Sequence, residues 1–148
     1  MYKNKQLYSI AERDSAADYL DSTPVAYFSQ LRDKFKWFKV DIESPQDLPN
    51  LGTWWGELNG LKKNPIDPDE KFSLSEVANM IKDGTMPDKV VGEKVLEYKS
   101  LIETGELEIR LTLFEDGSRI LIADGNKRAL ALLIDGKSTM LKVILIGS

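Results

Sequence analysis

The stretch Arg119–Gly136, RILIADGNKRALALLIDG, constrains the fold more tightly than any other part of the chain. Ile120–Ala123 is a short apolar run suited to a buried strand, and Asp124-Gly125-Asn126 interrupts it with turn-forming residues. Ala129–Ile134 is then apolar up to Asp135-Gly136, whose glycine suits a helix C-terminus. The reading is strand, tight turn, helix. Lys127 and Arg128 fall in the first helical turn, where the helix macrodipole is positive and a cation costs about 0.3–1 kcal/mol instead of helping. A local rule broken beside a glycine turn points to a compensating anion. Free amides at a helix start, glycine backbone and two adjacent cations together fit a phosphate. The plainer reading of the same residues is a strand-to-helix turn in which Asp124 caps the helix, Gly125 permits the bend, and Lys127 and Arg128 are surface charges.

The flanking segments extend this unit. Ile109, Leu111 and Leu113 alternate with Arg110, Thr112 and Phe114, and Glu115-Asp116-Gly117-Ser118 supplies an Asp-Gly turn, so a hairpin leads into the motif. Leu141–Ile146 is dense in branched apolar residues and reads as a last, largely buried strand. Upstream, Ser73 and Glu76 form a capping box, with Phe72 and Val77 placed as a hydrophobic staple, for a helix bearing Leu74, Val77, Ala78 and Ile81 up to Gly84. A second helix is expected from Asp88 to about Glu103, burying Val91, Val95, Tyr98 and Ile102 and ending at Gly105.

The N-terminal part, residues 1–43, is less regular. Residues 1–12 fit either a short strand or an ordered arm, and Asp14 or Ser15 is placed to cap a short helix through Leu20. Thr23-Pro24 opens another helix with Tyr27, Phe28, Leu31 and Phe35 on one face. Phe38, Val40 and Ile42 alternate with Trp37, Lys39 and Asp41, the pattern of a strand with one apolar face. Residues 44–68, punctuated by prolines and glycines, read mostly as a long loop, a kind of segment that often carries function. Trp54 and Trp55 within it either plug the core edge or form a stacking platform for a base.

The chain has neither cysteine nor histidine, which removes disulfides, thiol nucleophiles, histidine bases and the usual zinc and haem sites. Chemistry is left to carboxylates, lysine, arginine, hydroxyls, amides, or a hard cation such as magnesium. Twenty Lys and Arg against 24 Asp and Glu, a net charge of -4, argue against a broadly basic nucleic-acid-coating surface. No run approaches the ~18 apolar residues of a membrane span, and the N-terminus lacks a signal-peptide core, so the expectation is a cytoplasmic protein with no membrane partner. The 148 residues fit one α+β domain, a small mixed sheet flanked by helices.

The hairpin, ILIADGNKRALAL, the helix ending in a glycine turn and the closing strand LKVILI resemble the ParB-like/sulfiredoxin superfamily over residues 109–146. The matching motif, of D-G-x-x-R type, is Asp124, Gly125, Asn126, Lys127 and Arg128. The resemblance implies a ParB-like fold across residues 1–148 and a nucleotide or other phosphate at this turn, such as ATP or CTP with magnesium. Gly125 and Asn126 would then offer close backbone approach and amides, and Arg128 would hold phosphate oxygens. Lys127 occupies a variable motif position, and its role rests on charge alone. The sulfiredoxin reaction is excluded because its cysteine nucleophile has no counterpart, and the DNA-reading helical domain of partition proteins is not expected. Catalysis, as NTP hydrolysis or phosphoryl transfer, would need a carboxylate near the phosphate; Asp124 and Glu57 are the candidates, with Asp41 and Glu43 also flanking. Two further readings stand beside this one. One is a nucleic-acid-binding or nuclease module using Lys127, Arg128 and stacked tryptophans, and the other is a non-catalytic interaction module of a phage or mobile element.

Overall fold

Ser9 and Glu12 close a reciprocal capping box: the Glu12 amide donates to Ser9 Oγ and the Ser9 amide to Glu12 Oε1, both at 3.1 Å. The helix they start, α1 (Ile10–Asp21), therefore begins a turn earlier than Asp14 or Ser15 would place it. The computed structural model describes residues 2–21, 33–53, 72–117 and 119–147. The expected helix at Thr23-Pro24 lies outside those residues except for Phe35, which stands in a bend before the next strand and not in a helix, and the loop positions Trp54, Trp55 and Glu57 lie outside them too.

Before α1 comes an edge strand, β1 (Lys3–Leu7), and after it β2 (Lys36–Ser44) and β3 (Gly52–Thr53). The helices α2 (Leu74–Asp83) and α3 (Lys89–Glu103) follow. Ser73 accepts from the Glu76 amide at 3.2 Å, and Asp88 accepts from the amides of Val90 and Val91 at 3.0 and 3.2 Å, so both helices start where their capping side chains stand. The hairpin is β4 (Thr112–Asp116) and β5 (Arg119–Asp124), and the chain closes with α4 (Asn126–Asp135) and β6 (Thr139–Gly147). Ile109 and Leu111 precede β4, which begins at Thr112, so the alternation seen in the sequence starts before the strand itself.

The six strands form one mixed sheet in the order β1-β2-β6-β4-β5-β3. β1/β2, β2/β6 and β4/β5 are antiparallel, whereas β4/β6 and β3/β5 are parallel. Alternate side chains divide between two layers because the pleat sends neighbours to opposite faces. Val40, Ile42, Leu113, Ile122, Leu141, Val143 and Leu145 pack with α2, α3 and α4 in the main core. Trp37, Phe114, Ala123 and Ile146 pack with Ala17 and Leu20 of α1 on the other face. Trp37, expected on the polar side of its strand, is buried for this reason: α1 covers that end of β2. The described chain is a single α+β domain with four helices, and none of these is long and apolar enough to cross a membrane.

Candidate functional site at the start of helix α4

β5 delivers Asp124 to the end of the sheet, and Gly125 then turns the chain with φ 95° and ψ 22°, a left-handed conformation that favours glycine. Gly125 is the N-cap of α4; its carbonyl accepts the first helical hydrogen bond from the Ala129 amide at 2.9 Å. Gly125 has no side chain with which to cap the first turn. Asp124 does not cap the helix, contrary to the plainer sequence reading, and among the described residues no side chain satisfies the amides that open α4. The glycine has a second, purely internal reason to be there. A Cβ on Gly125 would meet the Arg110 carbonyl oxygen at 2.5 Å and Leu111 Cδ2 at 2.7 Å, because the segment leading into β4 crosses directly over the turn.

Asp124 is half-buried, and its Oδ2 lies 3.5 Å from the Tyr19 hydroxyl, at the outer limit for donation. Burial raises the Asp124 pKa; the Arg128 charge, the Tyr19 hydroxyl and the Gly125 amide oppose that rise. Arg128 influences Asp124 through space and forms no ion pair within 4 Å among the described residues. Its Nε is buried without a hydrogen-bond partner, and its guanidinium carbon lies 5.9 Å from the centre of the Tyr98 ring on α3. Asn126 is buried; its Nδ2 donates to the Ile122 carbonyl at 3.4 Å, while its Oδ1 has no partner. Lys127 is half-buried and takes part in no ion pair among the described residues.

Asp124, Gly125, Asn126, Lys127 and Arg128 are thus gathered at one strand-to-helix junction. The other carboxylates considered from the sequence are not. Asp41 and Glu43 lie on β2, three strands from β5 and so about 14 Å away at ordinary strand spacing. Asp41 accepts from Asn4 Nδ2 at 2.8 Å, and Glu43 pairs with Lys3 on the edge strand. Among the described residues no group of three or more acidic side chains could hold a metal ion.

Three residues beside the junction were invisible to sequence reasoning in this role: Tyr19, Tyr98 and Arg110. The Arg110 guanidinium lies over the Tyr19 ring, 4.7 Å from carbon to centroid, and its Nε donates to Glu108 Oε1 at 3.0 Å. Tyr98 carried a sequence signal only as a core residue of α3. Tyr19 carried none, since it reaches Asp124 across 105 positions of chain.

No family model, curated protein or solved structure matches the chain.

Proposed function

We propose that the start of α4 binds the phosphate of a nucleotide, as the resemblance of residues 109–146 to ParB-like domains implies. The observation that carries this reading is Arg128. Its Nε is buried with no hydrogen-bond partner, in the same turn as helix amides that no side chain caps among the described residues. A buried guanidinium N–H without an acceptor is costly, and a phosphate oxygen is the acceptor whose geometry suits arginine best. The amides and the positive helix pole favour the same charge. At the same turn Asn126 Oδ1 is buried without a partner as well, but it is an acceptor and would take a donor or a cation, not a phosphate oxygen.

Asp124 fits a supporting role. Magnesium accompanying a nucleotide commonly uses one or two protein carboxylates together with phosphate oxygens, which a single aspartate beside the phosphate can supply. Where no metal binds it, the same carboxyl, with its pKa raised by burial, would instead be placed to exchange a proton closer to neutral pH than an ordinary aspartate.

The test is thermal unfolding with ATP, CTP, GTP and short oligonucleotides, each with and without magnesium. A nucleotide at a hundred times its Kd stabilises by about 2.7 kcal/mol, which corresponds to a rise in Tm of about 5–10 °C for a domain of this size. Arg128→Ala is expected to abolish that rise. Equal nucleotide stabilisation in wild type and variant would overturn the assignment, as would a wild-type protein indifferent to all nucleotides. A response to oligonucleotides alone, steeply reduced by salt, would replace it with nucleic-acid backbone binding.

A further inference from the structure

On the α1 face of the sheet a groove of about 700 Å³ runs between α1 and the segment leading into β4. Its walls are Ala11 and Ala16 of α1, Ile109 and Leu111 opposite, and Ile144 of β6 beneath, with the rings of Tyr8 and Tyr19 also lining it. A second hollow of about 360 Å³ adjoins it, sharing Tyr8, Lys142 and Ile144, and is bordered by Asn4, Gln6, Lys39 and Asp41. The larger hollow thus combines apolar and aromatic walls with Glu12, Glu108 and Arg110, the smaller is mostly polar, and Lys142 stands at their junction.

The charges around this groove are unequally satisfied. Glu12 is bonded to Lys39, which holds its carboxyl below the usual range, and Glu108 is bonded to Arg110. Asp41, opposite Lys142 in the sheet register, accepts from Asn4. Lys142 is exposed and forms no ion pair among the described residues. Among the described residues Lys142 is therefore the groove cation without an ion pair, as Asp41 opposite it is the carboxylate bonded only to a neutral amide, and the volume lies within the range of small-molecule sites.

We infer that this groove, which adjoins the start of α4 through Tyr19, is a second ligand site for a flat aromatic anion: the ring lies between Tyr8, Tyr19 and the Ala11/Ala16 wall, and a carboxylate or phosphate meets Lys142. Aromatic surface provides the contact area, and the ammonium selects the charge. Carboxylate and phosphate ligands share this chemistry, so the probes separate them.

Isothermal titration with naphthoate, with the neutral naphthyl alcohol, with AMP and with inorganic phosphate tests the site. Naphthoate is expected to bind saturably and the neutral alcohol about tenfold more weakly, since one charge-assisted contact is worth about 1.5 kcal/mol. Inorganic phosphate alone is expected not to compete. Lys142→Gln should reduce naphthoate affinity about tenfold while leaving the alcohol unchanged, and Ala16→Trp, which fills the groove, should abolish both. AMP binding that falls with Lys142→Gln and not with Arg128→Ala would mark the phosphate form of the ligand at this groove, whereas AMP binding lost with Arg128→Ala alone belongs to α4. Absence of saturable naphthoate binding would overturn the inference, as would naphthoate affinity that Lys142→Gln leaves intact. Because Lys142 is exposed, its replacement is expected to leave the Tm unchanged, and circular dichroism of each variant confirms that a lost signal is not a lost fold.

Discussion

Substitution of Gly125 by alanine isolates the contact that builds the α4 junction. Two penalties add. The first is conformational: at φ 95° an alanine pays the left-handed cost of about 1–2 kcal/mol. The second is steric, because the new methyl would stand 2.5 Å from the Arg110 carbonyl oxygen and 2.7 Å from Leu111 Cδ2, and the backbone oxygen cannot rotate away. Forcing an extra carbon into filled space costs about 1–3 kcal/mol. The sum, about 2–5 kcal/mol, corresponds to a fall in Tm of about 5–15 °C for a domain of this length. Gly84→Ala is the matched control: its φ is 71°, yet nothing lies within 4 Å of the added carbon, so only the conformational cost applies. Thermal unfolding followed by circular dichroism should rank Gly125→Ala well below Gly84→Ala, with wild type highest. Equal melting of the two variants would refute the reasoning, since it would mean that the 110–111 segment does not press on the turn.

Other substitutions test separate links. Asp124→Asn should stabilise the unliganded protein at neutral pH: burial raises the folded-state pKa, so the protonated form is favoured in the fold, and that advantage is lost as pH rises from the unfolded pKa through the folded one. The difference in Tm between wild type and variant should shrink toward zero as the pH falls below about 4, the ordinary aspartate value. Ser9→Ala removes the hydroxyl half of the α1 capping box and should cost about 1 kcal/mol by urea unfolding, a value that Asp14→Ala should not approach. Leu113→Ala, at a fully buried site, should cost about 2–5 kcal/mol in the same assay.

Elements were readable wherever a local signal coincided with a local structure. The Ser73 capping box, Asp88 after Pro87, and the glycines at 84, 105 and 136 mark helix ends that depend on neighbours within a few positions. The missed start of α1 had the same kind of signal in Ser9 and Glu12, obscured because the turn that follows is weakly patterned: Ile10 is exposed and the buried residues Ala17 and Leu20 come late. Trp37 shows the other limit. Its strand alternates as if one face met water, and only the distant helix α1 makes the tryptophan face interior. At the junction, Asp124 to Arg128 could be found because the motif is contiguous. Tyr19 and Tyr98 come from two other helices and Arg110 from the segment before β4, and nothing in their own neighbourhoods ties them to it.

The two cations that drew attention to α4 are not equivalent in the folded protein. Arg128 is partly compensated, since its charge works on Asp124 and its guanidinium lies near the Tyr98 ring. Lys127 has no such partner among the described residues: it forms no ion pair with them, although it sits half-buried in the first turn of a helix whose amides none of their side chains caps. In the unliganded protein it should therefore be a net liability of about 0.3–1 kcal/mol, the usual cost of a cation at a helix N-terminus. Lys127→Glu removes that cost and adds a gain of similar size, about 0.6–2 kcal/mol together, and should raise the Tm of the unliganded protein by about 1–8 °C. With a phosphate ligand present the order should invert, because the glutamate now repels the charge that the helix start attracts. Differential scanning fluorimetry of both proteins, with and without the stabilising nucleotide, reads both halves at once. A variant less stable than wild type without ligand would show that Lys127 has a structural partner. A variant stabilised by nucleotide as strongly as wild type would show that the phosphate does not lie at this turn.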